Sequence, residues 1–417
     1  MKNGLRVLLI PDSTAPVVGV GAHYDVGFRS EPEGLTGFAH LFEHLMFQGS
    51  ESLGKMEHCR HVESAGGMFN GQTHPDYTDF HQVVPSAALE QALFMEADRM
   101  RAPSITEENL RNQIDVVKEE IRLNVLNRPY GGFPFLWLPP VLYTTFANSH
   151  NGYGDFTDLE NATVEDCAEF FDTFYSPANA LLTVIGDFVP QEVEQLVDRH
   201  FSDLPARAAE PKPAFAEPLP TQERRGIHDD PHAPLPALAV GYRLPDPVTE
   251  LDAYLAHLVL TMVLTDGDGA RLQQRMVHRQ PLVSDISSGL GLFRAFDARD
   301  PDLLRISALH VADVSADQVL DAIDEELDSL ATTSPSQLEL RKTAARWTVS
   351  MHRAHDRMAS RTQALGAFEL LFGDAGLVSE LPGRIAAVTP EAVSAAAKSL
   401  RPDSRAVLTV NPVGGAR

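Results

Sequence analysis

Residues 37–50 read GFAHLFEHLMFQGS, and the run HLFEH inside them decides how the rest of the chain is understood. His40 and His44 are four residues apart, so on a helix both imidazoles leave one face and can grip one ion. Glu43 sits beside them, placed to polarise a water and take its proton. Leu41, Phe42, Leu45, Met46 and Phe47 surround these three with apolar side chains. That composition describes a mostly buried helix, where His and Glu are costly unless paired or metal-bound. The pattern H-x-x-E-H is that of an inverted zinc site. Two imidazoles and one further carboxylate would leave a coordination position open for water, as hydrolysis requires.

The third ligand must come from elsewhere, because two His and a Glu can fall together by chance in a chain with 16 histidines. Residues 107–127 (EENLRNQIDVVKEEIRLNVLN) have helical periodicity, with Leu110, Ile114, Val116, Val117, Ile121 and Val125 marking an apolar face. Glu120 follows Val116 by four residues and Val117 by three, which puts it near the buried side. Glu119 is turned further towards solvent. Residues 66–80 (GGMFNGQTHPDYTDF) open with two glycines that permit close backbone approach, and Phe69 and Gln72 suit a strand edge.

Five stretches together resemble the pitrilysin-like (M16) metallopeptidases, of the short type that resembles processing-peptidase subunits. They are residues 3–12 (NGLRVLLIPD), 37–50, 66–80, 115–131 (DVVKEEIRLNVLNRPYG) and 174–188 (FYSPANALLTVIGDF). The resemblance implies that His40, His44 and Glu120 hold Zn2+ and that Glu43 is the general base. It implies that the edge at 66–80 adds the substrate peptide as a strand, with Gly67, Phe69, Asn70 and Gln72 as contacts. Members often carry a further Glu about two turns before the acidic ligand; Gln113 stands there. The second half of active members commonly supplies an Arg and a Tyr seven residues apart, which clamp the peptide. Here Val277 and Ser284 occupy those places, and Arg271, Arg275 and Arg279 lie nearby out of register, as solvated helix charges. The resemblance therefore implies a homologous partner chain supplying the clamp in a heterodimer, or otherwise a homodimer. The implied activity is a zinc-dependent endopeptidase that cleaves unstructured peptides, or precursor and leader peptides, inside a closed chamber. The alternative is a non-catalytic binding or assembly subunit of the same fold.

The chain has 417 residues, long for one domain and comfortable for two. The Pro/Ala-rich stretch 205–221 reads as a linker between a zinc-bearing domain (1–204) and a domain without the metal site (222–417). Residues 257–261 (HLVLT) keep one His of HLFEH and lack its Glu and second His. Residues 306–330 echo 80–100 as strand, turn and amphipathic helix. The expected fold is α+β, two homologous domains each with an antiparallel-rich sheet packed with helices. The formal charge of −24 disfavours nucleic acid and anionic membranes as partners and favours cationic peptides at low salt. Cys59 and Cys167 read as reduced structural thiols. The chain enters its first strand at once, with no leader pattern, and no apolar run reaches the length of a membrane span. A cytoplasmic protein is expected. His58, His61, His74 and His81 have no complete ligand set and read as surface or hydrogen-bonded residues, and Trp137 as a packing residue.

Overall fold

The computed structural model describes residues 1–207 and 215–413. The apolar runs of the first half form β1 (Arg6–Pro11), β2 (Val17–Tyr24), β3 (Met68–Thr73), β4 (Thr78–Pro85) and β5 (Ala180–Gly186). They make one sheet in the order β1-β5-β2-β4-β3, with β1 and β5 parallel and every other pair antiparallel. The second half forms β6 (Arg224–Asp230), β7 (Ala237–Arg243), β8 (Val283–Leu290), β9 (Leu303–His310) and β10 (Arg405–Pro412). Their order is β6-β10-β7-β9-β8, again with a single parallel pair, β6 with β10. Adding five to each label of the first sheet reproduces the second. This is the α+β fold of two homologous sheet-plus-helix domains expected from the sequence.

Packing sorts the chain into two compact units that interleave along it. One is made of Met1–Glu119, the described residues of the stretch beginning at Gly152, and His352–Val378. The other is made of Glu120–Asn151, Phe215–Met351 and the described residues from Ser379 onward. Two segments thus differ from a contiguous division at a linker, and both differ for the same reason. Residues 133–143 (FPFLWLPPVLY) are strongly apolar, and Leu138, Leu142 and Tyr143 are buried with Ala239, Leu303, Ala406 and Leu408. The helix Met358–Phe372 buries Ala367, Leu370 and Leu371 with Tyr77 and Leu181. Each segment goes to the sheet that covers its apolar side chains.

Residues 208–214 of the expected linker lie outside the described residues. The following residues are anchored within the second unit. Asn148 Nδ2 donates to the Phe215 carbonyl at 2.9 Å, and the Glu217 carboxylate accepts from the backbone N–H and hydroxyl of both Thr144 and Thr145 at 2.6–3.0 Å. Burial works against that charge, but the four donors bring the Glu217 carboxyl down to about 2. Trp137 packs as expected: its ring stacks on His228 with centroids 4.4 Å apart, and its N–H donates to the Gly131 carbonyl.

In the first unit the helix Met358–Phe372 lies so close to the sheet that a Cβ at Gly366 would come within 2.1 Å of the His23 ring. That face of the sheet is polar although buried. Asp79 Oδ1 lies 2.7 Å from His81 Nδ1, its Oδ2 lies 3.2 Å from His74 Nε2, and Gln363 Nε2 donates to both oxygens at 3.4 and 3.5 Å. Burial alone would raise the Asp79 pKa; the hydrogen bonds to the two histidines hold it well below the usual carboxylate range. His23 is fully buried, and burial pushes its pKa down to about 4.

His23 is therefore neutral in the folded protein and protonates at about pH 6.5 once unfolded. Its contribution to stability is complete above that value, is lost as pH falls towards 4, and does not fall further below. From the size of the shift the loss is about 3 kcal/mol. Urea unfolding between pH 7.5 and 4 checks this: His23→Phe flattens the pH dependence by that amount in this window.

Candidate metal centre and cleft

The helix α1 (Phe38–Leu45) carries the motif. Its buried residues Phe38, Leu41, Phe42 and Leu45 recur at i, i+3, i+4 and i+7, one face of a helix. That face enters an aromatic cluster. Phe38 and Phe42 lie 5.6 and 5.0 Å from Phe170, and Phe42 stacks on Tyr175 at 5.0 Å. With this face buried, His40, Glu43 and His44 emerge together on the other side. The start of α1 is fixed by Glu31, a buried carboxylate accepting from the backbone N–H of Gly37 at 2.8 Å and of Ala39 at 2.7 Å. It satisfies two donors that no helical carbonyl can reach and places negative charge at the positive end of the helix.

Three further helices frame the site: α2 (Glu57–Ser64), α3 (Leu89–Arg101) and α4 (Glu107–Ile121). On α4, Leu110, Ile114, Val117 and Ile121 are buried as expected, whereas Val116 is 41% exposed. Glu120 comes from the last turn of α4, immediately before a π-helical turn at Arg122–Leu126. Ligand atoms of His40, His44 and Glu120 all lie within 4.8 Å of one another. The two imidazole rings are perpendicular with centroids 4.9 Å apart, and Tyr153 packs edge-on against His40 at 5.2 Å. Glu119 is exposed and outside the group. Four-coordinate zinc holds its ligands at about 2.0–2.2 Å, which puts neighbouring donors about 3.4 Å apart. The observed spacing is one side-chain adjustment from that, and two imidazole nitrogens with one carboxylate oxygen are donors zinc accepts. The residues fit the metal.

Glu43 is held from the sheet side. The Thr73 hydroxyl donates to Glu43 Oε2 at 2.7 Å, and a Cβ at Gly71 would meet Glu43 Cγ at 2.9 Å. Glycine at 71 thus lets β3 pass directly beside the carboxylate. β3 is the edge strand of its sheet. Phe69, Gly71 and Thr73 alternate towards α1, and Phe69 packs on Phe47 at 5.3 Å. Asn70 and Gln72 stand opposite His81 and Asp79 in the register, and alternation directs their side chains to the other face. Gly67 precedes the strand in a turn, its N–H donating to the Val62 carbonyl. A cleft of about 430 Å3 opens between these elements, lined among others by Glu43, His44, Phe47, Phe69, Asn70 and Gln113. Gln113 donates to the Asn112 side-chain oxygen at 2.9 Å.

Behind the cleft lies a buried ion pair. Arg99 on α3 makes a forked contact with Glu96 at 2.7–3.0 Å, Gln82 donates to the same carboxylate at 2.9 Å, and the guanidinium lies 4.4 Å from the Phe80 ring centroid and 5.3 Å from that of Phe47. His58 is buried beside Glu96, and burial lowers its pKa. Thr73, Glu31 and the Arg99–Glu96 pair are roles the sequence reading missed. Only Thr73 carried a local signal, since it lies on the strand edge already singled out.

In the second unit two of the three arginines expected as solvated charges are in fact engaged, while Arg279 is exposed as expected. Arg271 pairs with Glu326 and Glu339 at 3.1–3.4 Å and is 23% exposed, and Arg275 pairs with Glu325 and Glu326. The π-helical turn Gln273–Arg279 aims them at the neighbouring helix Ala316–Thr332, which carries both Glu325 and Glu326. Val277 lies in that turn, and Ser284 lies on β8, its hydroxyl donating to the Leu309 carbonyl at 3.1 Å. His257, the counterpart of a motif histidine, is buried, with Nδ1 2.8 Å from the Ala253 carbonyl and Nε2 3.0 Å from the Ser399 hydroxyl.

Comparison with known proteins agrees with this geometry. Residues 6–128 match the family described as insulinase (peptidase family M16), and residues 161–346 match the peptidase M16 inactive domain. The chain belongs to the M16 peptidase family. It is 31% identical over 304 residues to zinc protease PqqE of Helicobacter pylori, a match spanning 69% of this chain and 65% of that protein. It is 24% identical to an Arabidopsis thaliana protein named "Probable mitochondrial-processing peptidase subunit beta, mitochondrial", over 99% of this chain and 78% of the other. Among solved structures, a protease from Helicobacter pylori superposes with a TM-score of 0.90 at 25% identity, covering 99% of this chain and 98% of that one.

Replacing Glu31 with Ala removes the acceptor of two buried N–H groups at the start of α1. At about 1–3 kcal/mol for each unsatisfied donor, the variant loses roughly 2–6 kcal/mol. Urea unfolding checks this as a lower midpoint with unchanged slope.

Proposed function

We propose that this protein is a zinc-dependent endopeptidase acting on extended, unstructured peptides or on precursor and leader peptides, with residues 37–50 carrying the chemistry. One observation carries the reading: His40, His44 and Glu120 converge beside a cleft that also holds Glu43 and the edge strand β3. Zinc, when bound by these three residues, supplies a Lewis acid that polarises the scissile carbonyl and acidifies water. The chain's own residues do the rest. β3 offers its edge to the substrate main chain, so recognition tolerates many sequences. Glu43 accepts the proton of the attacking water and delivers it to the leaving amine. Thr73 fixes which Glu43 oxygen faces the reaction, and Phe47 and Phe69 form an apolar wall that displaces water.

The same proposal includes a homologous partner. Arg271 and Arg275 are committed to Glu325, Glu326 and Glu339, and Val277 and Ser284 cannot clamp a carbonyl as an Arg/Tyr pair would. A second chain bearing that pair completes the site in a heterodimer; a homodimer is the other arrangement. A closed chamber is part of this reading. Cys59 and Cys167 are free and buried, which suits a reducing compartment such as the cytoplasm. The alternative of a non-catalytic subunit gains no support from the inactive-domain description, which falls on residues 161–346, outside the motif.

Metal analysis and peptide cleavage on the same samples test the catalytic reading. Glu43→Gln keeps its zinc and loses activity by about two to four orders of magnitude, the usual contribution of a general acid–base. His44→Ala loses both zinc and activity, and a chelator reproduces its effect on the parent protein. Full activity in Glu43→Gln would remove Glu43 from this role.

A further inference from the structure

The cleft lining contains one cation other than histidine, Lys55, in the turn between α1 and α2. Its ammonium donates to the neutral side-chain oxygen of Asn112 at 3.2 Å, and among the described residues no carboxylate lies within 4.0 Å of it. That Asn112 oxygen is already shared, accepting from Gln113 Nε2 at 2.9 Å. Two neighbouring carboxylates, Glu57 in sequence and Glu43 in the cleft lining, have donors of their own. Glu57 accepts from the Gly54 N–H at 2.7 Å and lies 3.7 Å from His61, while Glu43 accepts from Thr73. The α4 residue that meets this ammonium is an amide, Asn112. Next to it the wall is apolar, formed by Phe47, Phe69 and Met56. An ammonium without a carboxylate partner, lining a cleft that also holds two aromatic rings, matches a side chain with a methylene stem and an anionic end.

On the reading of this cleft as a peptide site, we infer that Lys55 selects an acidic side chain, glutamate best, close to the scissile bond. The stem lies along Phe47 and Phe69 and the carboxylate takes the free donors of the ammonium. This local choice runs against the long-range field, because a net charge of −24 repels acidic peptides in general. Comparing Glu with Gln at one position of the same peptide isolates the local term. A partly exposed ion pair is worth about a fivefold preference.

The experiment uses the full-length zinc-loaded chain, with its partner if one copurifies. Matched fluorogenic peptides carry Glu, Gln or Lys at each of the positions flanking the cleaved bond. In the parent protein kcat/KM favours Glu over Gln about fivefold at one of these positions. Lys55→Gln abolishes the preference, and Lys55→Glu reverses it so that Lys is favoured there. The same peptides titrated by fluorescence anisotropy against Glu43→Gln report the preference without turnover. Equal treatment of Glu and Gln by the parent protein, or an unchanged ratio in Lys55→Glu, overturns the role of Lys55 and leaves the peptidase reading intact. A Lys55-dependent binding preference without any cleavage supports Lys55 and overturns the peptidase reading.

Discussion

The site depends on the packing of α1 by its aromatic face. Phe38 and Phe42 are locked against Phe170 and Tyr175, so the rotation of the helix is settled and His40, Glu43 and His44 share its opposite side, with Glu43 and His44 lining the cleft. Glu31 settles where the helix begins, and Gly71 lets the edge strand run against Glu43. Rotation, start and sheet contact are three separate constraints, and together they leave the motif one arrangement. Preorganisation of this kind lets a hydrolytic site act without rearranging its polar groups at the moment of reaction.

The two sheets share one strand order and use it differently. In the first, the helix before the edge hairpin presents two imidazoles and a carboxylate beside a cleft. In the second, the helix Leu251–Thr265 is buried nearly all round, and its His257 is occupied by Ala253 and Ser399. The two copies share a strand order, but in the second the corresponding helix is part of the core. Charged residues of the second unit follow the same course, with Arg271 and Arg275 serving as internal braces to acidic helix residues.

Much of this was legible in the sequence, and the parts that were not have physical reasons. Spacing four placed His40 and His44 on one face, which descends from backbone geometry that holds wherever a helix forms. The choice of Glu120 over Glu119 came from the family resemblance, since Val116, one of the residues used to set the buried side, is exposed. The first strand and the repetition of the two halves could be read from apolar runs, whereas β6, whose sequence RRGIHDD is mostly charged, could not. The interleaving of the units did not, because residues 133–143 and 358–372 look equally at home in either half until packing partners are known. Alternation, not visible in the grouping of Asn70 and Gln72 with Phe69, sends their side chains to the opposite face, although Asn70 still lines the cleft. The polar layer of His23, His74, Asp79 and His81 was hidden too, since its members are scattered in sequence and meet only when the strands pair.

The central claim is that one metal ion sits between His40, His44 and Glu120. Anomalous diffraction at the zinc edge from crystals of the protein tests it most directly. The account predicts a single strong peak bounded by those three side chains, with Glu43 beside it and not bonded to it. A peak at another group of residues, or none in protein purified without chelator and supplied with zinc, would contradict it.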